Sequence, residues 1–327
     1  MKHQQTAIRV GAVLILLAVG LRIAAGCGVQ PLADILQNPK VAALMITMET
    51  GRVVNLNDLV LSAPTEQEQP QTQPESVALC FSQQDATLLQ LRNYSGFSVD
   101  VSSLLTKTLT WDLRQPEPSV LILHTHTTES YTKTSQDYEE TAQYRTLNTD
   151  YNMVTVGAAL TQQLQAMGIG VIHDTTIHDY PSYTGSYTNS RETAKALLAQ
   201  YPSIKLVLDL HRDAAEYDDG SQIETAAVVD GVDTAQLMLV VGSNGTGRNH
   251  PNWRENLSLA AKLQAVLEKR WPGIVRPICL RSERFNQDLL PGALLVEVGA
   301  AGNTLEEALA AVSCLAWGIG QLAAGTS

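Results

Sequence analysis

The residues of this chain that could do chemistry follow three short apolar runs: His124–Glu129 (HTHTTE) after Val120–Leu123, His211 at the end of Ile204–Leu210, and Glu297 after Ala293–Val296. Histidines together with a carboxylate supply the nitrogen and oxygen ligands of a catalytic zinc site, which keeps a fourth position for water. Zinc lowers the pKa of that water to roughly 7, so that a further carboxylate can accept its proton as hydroxide attacks an amide. The three run ends therefore predict a zinc hydrolase, with Glu297 as the candidate base.

Each of these residues also has an ordinary structural interpretation. A single histidine that closes a strand, such as His211, says little by itself, and Glu297 could pair with Arg276 or Arg281. The hypothesis depends on the conjunction of the three run ends. We interpret the histidines that lack such a placement as surface residues or as residues that contact a ligand without binding metal themselves: His173, His178 and His250.

The elements that must position these residues alternate along the chain. Apolar spacing predicts a helix over Met153–Met167, and further strands are predicted at Val171–Ile172 and Gln236–Val241. Pairs that resemble capping boxes predict three more helix starts: Asn189 with Glu192, Asn252 with Glu255, and Asn303 with Glu306. Alternating strands and helices indicate an α/β domain with a mostly parallel sheet flanked by helices. Ligands bind such sheets at the carboxyl ends of the strands, which would bring the three run ends into one cleft.

The amino terminus predicts the compartment. Lys2 and Arg9 precede an apolar stretch from Val10 to Val29 that is long enough to cross a bilayer if Arg22 snorkels to the far interface. We expect an uncleaved anchor with its amino terminus inside and the remaining chain outside. A cleaved signal peptide and a lipoprotein signal, with Cys27 in the processing box, are the alternatives.

Composition bounds the remaining possibilities. The 327 residues carry a net charge of −11, so the concentrated positive surface that nucleic-acid binding needs is not expected. Four separate cysteines without a CxxC pair exclude a thiolate zinc cluster. We predict a cytoplasmic tail and anchor at 1–29, a stalk or small subdomain at 30–114 with a polar linker at 65–76, and a catalytic domain at 115–327.

Several strings in residues 115 to 325 resemble the stage II sporulation protein P family: HTHTTESY, IKLVLDLHRDA, VVGSN, HPNWREN, FNQDL and LLVEVGAAGNTLEEA. That family comprises membrane-anchored cell-wall hydrolases of endospore formers, related in fold to the zinc-dependent N-acetylmuramoyl-L-alanine amidases. The resemblance implies a zinc cofactor, cleavage of the bond between muramic acid and the first stem-peptide alanine, and endopeptidase cleavage of cross-links during engulfment. It also implies peptidoglycan as substrate and, as partners, a lytic transglycosylase similar to stage II sporulation protein D and a membrane scaffold.

Carried over by position, the resemblance implies that His211 is the late zinc ligand and Glu297 the catalytic glutamate. For the early ligands we favour His124 with Glu129, and His126 is the alternate ligand or a group that polarises the substrate. Either Glu139 or Glu140 would replace Glu129 if the carboxylate spacing of the wider amidase group holds. Asn286, Gln287 and Asp288 could contact glycan or peptide. The competing functions are a binding module without turnover and a carboxypeptidase that acts on stem-peptide ends.

Overall fold

The computed structural model describes residues 79–134 and 138–326. The predicted anchor, the linker at 65–76 and most of the predicted stalk lie outside these residues. Among the helices of the described part of the chain, none is both apolar enough and long enough for a membrane span.

The described residues build one large sheet, a small hairpin and four α-helices. The strands are β1 (Leu91–Asn93), β2 (Val120–Leu123), β3 (Val171–His173), β4 (Leu206–Asp213), β5 (Ala226–Val229), β6 (Val232–Ala235), β7 (Leu237–Val241), β8 (Ile278–Leu280) and β9 (Ala293–Ala300). The helices are α1 (Met153–Ala166), α2 (Ser186–Gln200), α3 (Trp253–Arg270) and α4 (Leu305–Leu322).

The large sheet has seven strands in the order β1-β8-β7-β9-β4-β2-β3, and β5 and β6 form the hairpin. All neighbouring strands of the large sheet are parallel except β7 and β9, which pair antiparallel. The crossovers contain the helices, as parallel pairing requires. The predicted α/β class with a mostly parallel, helix-flanked sheet is confirmed.

The folded unit starts earlier than the predicted domain boundary near residue 115. Strand β1 is the edge strand of the large sheet and pairs with β8. Leu104 and Leu113 are buried in the main apolar cluster, and the Leu113 amide donates to the Ala323 carbonyl at 2.7 Å. The described residues from Leu79 onward belong to one compact unit. The sequence prediction placed the boundary too late because the chain around residue 100 is polar and carries no pattern that indicates these long-range contacts.

Two helix starts differ from the sequence prediction. Helix α2 begins at Ser186, so Asn189 lies inside it and donates to the His178 carbonyl at 3.0 Å. Helix α4 has its capping box at Thr304 and Glu307, one residue later than predicted. The side chain of Asn303 instead accepts from two backbone amides, those of Thr225 and Ala300. In both cases a tertiary contact uses the side chain that the local pattern assigned to a cap.

The large sheet has two unlike faces. Leu206, Leu208 and Leu210 of β4 join the main apolar cluster with residues of α1, α3 and α4. The intervening side chains of β4 point to the opposite face, because successive residues of a strand alternate. Val207 there packs in a second, smaller cluster with residues of α2 and the segment containing Leu289. We call these the helical face and the site face.

Candidate metal centre

The carboxyl ends of β2, β4 and β9 meet at one edge of the sheet, as the three predicted run ends require. These strands are adjacent and mutually parallel. His211 of β4 lies directly opposite Glu297 of β9 in the ladder. Residues paired in this way point to the same side of a sheet, so the predicted late ligand and the predicted base are neighbours on the site face.

Three buried residues converge at this edge. His126, Glu129 and His211 each offer one ligand atom, and these atoms all lie within 4.8 Å of one another. Nδ1 of His126 is 3.3 Å from Glu129 Oε1, and Nδ1 of His211 is 3.4 Å from Glu129 Oε2. The second ring nitrogen of His126 is buried and has no hydrogen-bond partner among the described residues. This donor set and the unsatisfied nitrogen fit a zinc ion.

His124, the favoured early ligand, does not belong to this group. A Cβ added at Gly157 of α1 would lie 2.6 Å from Nε2 of His124, so this ring faces α1 on the helical face. Its Nδ1 is 3.2 Å from the Leu210 carbonyl and its Nε2 is 2.9 Å from His173 Nε2. Burial, helped by the neighbouring His173, lowers the pKa of His124 to about 3. The prediction that His124 is the early ligand in preference to His126 is thus wrong. Both nitrogens of His124 already have hydrogen-bond partners, and its ring lies on the helical face, away from Glu129 and His211.

The two alternative carboxylates lie in an exposed turn. Glu139 accepts a hydrogen bond from Thr146 through its backbone carbonyl, and Glu140 Oε1 accepts from the Tyr144 amide at 3.1 Å. The structure brings neither of them to the group formed with His211, whereas it brings Glu129 there.

Glu297 is buried beside His211, and its Oε2 has no hydrogen-bond partner in the described part of the chain. Burial raises its pKa to about 8, and the charge of Glu129 adds to the shift, although the cationic His211 opposes it. The two arginines considered as its structural partners pair elsewhere: Arg276 with Asp213 at 2.8 Å, and Arg281 with Glu283 at 3.3 Å. Neither of these arginines is therefore a structural partner of Glu297.

The charges around Glu129 hold it as a carboxylate. Burial alone would raise the pKa of Glu129, but Arg212, His126 and His211 together keep it well below its usual range. Arg145 Nη2 adds a further ion pair at 3.1 Å. Burial disfavours the charged form of His211, yet its carboxylate neighbours, above all Asp209, hold its pKa well above the usual range. Two carboxylates, those of Glu129 and Asp209, thus flank the His211 ring, which suits a bound cation.

The segment of Asn286, Gln287 and Asp288 is tied into the fold. Gln287 is buried and bridges β7, donating to the Val240 carbonyl and accepting from the Gly242 amide, both at 2.8 Å. Asp288 accepts two hydrogen bonds from Arg191, each at 2.8 Å. Asn286 donates to the Tyr187 carbonyl at 2.7 Å. These side chains attach the segment to β7 and α2, and their predicted contact with substrate stays a prediction.

Sequence reasoning missed two residues at the mouth of the site. The ring of Tyr183 stacks on that of His126 with centroids 4.6 Å apart, and 55% of Tyr183 is exposed. Arg145 lies 4.9 Å from the Tyr183 ring centroid and pairs with both Glu129 and Asp179. Both residues lie in irregular segments without an apolar period or a motif, so no pattern marked them.

A family model described as Stage II sporulation protein P (SpoIIP) matches residues 47–320 of this chain. The chain belongs to the stage II sporulation protein P family. Stage II sporulation protein P of Bacillus subtilis (strain 168) is 32% identical to this family member over 199 residues. That match covers 58% of this chain and 47% of the relative, so the chain spans about half the length of the relative that it matches.

Two solved amidase structures are distantly similar to this member of the sporulation protein P family. The N-acetylmuramoyl-L-alanine amidase AmiC2 of Nostoc punctiforme is 11% identical with a TM-score of 0.35, covering 62% of this chain and 94% of the amidase. The catalytic domain of the amidase CwlV from Bacillus (Paenibacillus) polymyxa var. colistinus is 16% identical with a TM-score of 0.34, covering 62% and 94%.

Proposed function

We propose that this chain is a zinc-dependent peptidoglycan hydrolase. Its activity would be that of an N-acetylmuramoyl-L-alanine amidase that also cleaves peptide cross-links. It would degrade the septal wall during endospore engulfment. One observation carries the proposal: His126, Glu129 and His211 converge within 4.8 Å at the strand ends. Glu297 lies in the ladder position next to His211. Membership of the family supports the wall substrate and the sporulation setting.

The residues have distinct roles in this mechanism. A zinc ion held by His126, Glu129 and His211 would activate a water molecule and polarise the scissile carbonyl. Glu297 accepts the proton of that water as its oxygen bonds to the amide carbon. The carbon–nitrogen bond then breaks, and Glu297 returns the proton to the departing amine nitrogen. The same sequence of proton transfers serves the muramoyl amide and a cross-link peptide bond.

The burial of Glu297 suits both halves of this cycle. A carboxyl with a pKa of about 8 holds a proton firmly enough to deliver it to an amine. A bound cation beside it favours the ionised form, because opposite charge lowers the pKa of a carboxyl. Glu297 would therefore begin the reaction as a base and finish it as an acid.

We further propose that the apolar stretch near the amino terminus anchors the chain with its catalytic unit outside the membrane. There it would act with a lytic transglycosylase and a membrane scaffold. Amide cleavage frees the peptides from the glycan, and transglycosylase cleavage opens the glycan itself. The two reactions together would dismantle a wall that neither would dismantle alone.

Replacing Glu297 by glutamine tests the mechanism. The full chain carrying Glu297→Gln, loaded with zinc, should lyse purified sacculi about 10² to 10⁴ times more slowly than wild type, because the proton acceptor is gone. Its binding to the same sacculi in a pelleting assay should persist. Glu140→Gln, the same change at an exposed carboxylate, is the matched control and should lyse normally. Undiminished lysis by Glu297→Gln would remove this residue from the mechanism.

Mass spectrometry of the wild-type digest then separates the alternatives. An amidase releases stem peptides with a free amino-terminal alanine from intact glycan. Release of the carboxyl-terminal alanine as a free amino acid, with the peptide still attached to the glycan, would instead identify a carboxypeptidase. Wall binding without any product from wild type would identify a binding module.

A further inference from the structure

Two buried aspartates hold the segment His124–Glu129 in the same manner. Asp209 accepts from the Thr125 amide at 2.7 Å and from the Thr125 hydroxyl at 2.6 Å. Asp179 accepts from the Thr128 amide at 3.1 Å and from the Thr128 hydroxyl at 2.7 Å. Both carboxylates therefore use their two oxygens to fix one backbone amide and one side chain of the same segment. The two fixed threonines lie on either side of the early histidine of the metal group.

Each aspartate also contacts the metal group. Asp209 contacts the ligand His211, and Asp179 contacts Arg145, which pairs with the ligand Glu129. Asp209 Oδ1 lies 2.9 Å from His211 Nε2, the nitrogen on the far side of the ring from Glu129. Asp179 Oδ2 lies 2.6 Å from Arg145 Nη1, and Nη2 of the same guanidinium lies 3.1 Å from Glu129 Oε1. The contact is direct for Asp209 and is relayed through an arginine for Asp179.

We propose that Asp209 and Asp179 are paired positioning residues for the metal centre. Each one holds the segment His124–Glu129 in place and at the same time orients one ligand: Asp209 fixes the ring of His211, and Asp179 fixes the carboxylate of Glu129 through Arg145. This inference rests on the proposed function, since it assumes that the three convergent residues bind zinc.

The need for such residues follows from where the ligands come from. His126 follows β2 and His211 lies near the end of β4, 85 positions apart in the sequence. Zinc accepts its ligands only within a narrow range of distances, so both segments must be held in register before the ion binds. A carboxylate beside a ligating histidine, or another group paired with a ligand, orients that ligand in this way, and its loss typically lowers metal affinity about 10- to 100-fold.

Asparagine is the appropriate replacement because it keeps the shape of aspartate but removes the negative charge and one acceptor oxygen. An aspartate offers two acceptor oxygens, whereas an asparagine offers one oxygen and one donor group. In Asp209→Asn a single oxygen remains to accept from the Thr125 amide, the Thr125 hydroxyl can only accept from the new NH2 group, and the side chain faces the His211 ring without a negative charge.

The chain contains a matched control outside the site. Asp85 is also buried, accepts from the amide and the hydroxyl of Ser82 at 2.7 and 2.8 Å, and forms an ion pair with Lys269 at 2.9 Å. It lies in a short 3-10 turn over Asp85–Leu88, and its cation comes from α3 on the helical face. Asp85→Asn should thus disturb stability as the other two changes do, without touching the metal centre.

The decisive measurement is the dissociation constant for zinc, obtained by competition with a chelating dye on the folded full-length chain. Asp209→Asn should bind zinc about 10- to 100-fold more weakly than wild type, and Asp179→Asn about 10-fold more weakly, since its contact is relayed. Asp85→Asn should keep the wild-type value. Lysis by Asp209→Asn should recover when zinc is raised well above the new dissociation constant, because the base Glu297 is intact.

A second pair of variants covers the case in which Asp209→Asn does not fold. Thr125→Ser keeps both donors to Asp209, whereas Thr125→Val keeps the shape and loses the hydroxyl. The serine variant should bind zinc like wild type and the valine variant more weakly.

The possible results are distinguishable. Wild-type protein that binds no zinc overturns the proposed function and this inference with it. Wild-type affinity in both Asp209→Asn and Thr125→Val overturns the inference alone, as does an equal loss of affinity in Asp85→Asn.

Discussion

One face of the large sheet packs against α1, α3 and α4 through a continuous apolar cluster, whereas the other face is covered by α2 and the Leu289 segment and carries Asp209, His211 and Glu297. Strand β4 contributes to both, because Leu208 points to the helical face and Asp209 to the site face. Burial of apolar side chains stabilises the fold, while burial of carboxylates and imidazoles opposes it unless each has a partner.

Strand β4 therefore contributes both to stability and to the site. The helical face supplies stability through close packing and tolerates few changes of volume. The site face is buried as well, yet Glu297 Oε2 and His126 Nε2 lack hydrogen-bond partners within the described residues. Unsatisfied buried groups of this kind destabilise a fold, so their presence points to a role in binding or catalysis.

The largest effect on stability should come from the helical face. Leu208 is fully buried, and Leu208→Ala should lower the free energy of unfolding by about 2 to 5 kcal/mol, measured by urea denaturation. The affinity of the folded variant for zinc should stay at the wild-type value. Glu297→Gln, on the neighbouring strand's site face, should show the reverse pattern: unimpaired stability with lost lysis. If Leu208→Ala weakened zinc binding more than Asp209→Asn, the separation between the faces would be lost.

A smaller effect is expected where α1 approaches the pair His124 and His173. A Cβ added at Gly157 would meet His173 Nε2 and lie 2.6 Å from His124 Nε2. We expect Gly157→Ala to destabilise the protein by about 1 to 2 kcal/mol, since the cost of overpacking exceeds the better helix propensity of alanine. Thermal unfolding measures the loss.

The control for this variant removes one of the two histidine rings that the added methyl group would meet. In a His173→Ala background, the loss of stability caused by Gly157→Ala should become smaller without vanishing, because His124 Nε2 still lies 2.6 Å from the added Cβ. An equal loss in both backgrounds would show that the close approach to His173 is not a cause.

The smallest effect is a pH dependence on the helical face. The ammonium of Lys262 is buried and donates to the carbonyls of Leu104 and Leu105 at 3.2 and 2.9 Å. Burial, with the nearby charge of Lys107, lowers its pKa to about 8 from 10.5. Between these values the unfolded chain binds a proton that the folded chain has released, so stability should rise with pH.

The expected gain between pH 8 and pH 9 is about 1 kcal/mol, measured by urea denaturation as the difference between wild type and Lys262→Met. The methionine variant has no group that titrates there, and it shares the other titrations of the chain. Parallel curves for the two proteins over this range would show that Lys262 stays charged in the fold.

Much of the secondary structure was readable in the sequence because apolar periods dominate it. The runs Val120–Leu123 and Ile204–Leu210 became strands, and the helix predicted over Met153–Met167 ends only one residue earlier. The helix starts at Asn189 and Asn303 were wrong because several residues in each stretch are able to cap. Contacts distant in sequence decided between them, as with Asn303, whose side chain binds Thr225 and Ala300.

The candidate site was predictable in part. His211, Glu129 and Glu297 were identified because each stands at or just beyond the end of an apolar run. Asp209 carries a readable signal too, since it precedes His211 by two residues and shares its side of the strand. Arg145 had no signal, because the irregular turn that carries it is placed by tertiary contacts alone.

Alternation along each strand can be read from the amino-acid order alone: Ile122 and His124 share one side of their segment, and Asp209 and His211 share one side of theirs. Which of these sides coincide depends on strand pairing, because the pairing of Leu123 with Asp209 sets the register between the two strands. That register turns His124 toward α1, whereas His126 reaches the metal centre because β2 ends at Leu123 and the turn that follows no longer alternates. Alternation is a local property of the backbone, whereas register is fixed by contacts between residues far apart in the chain.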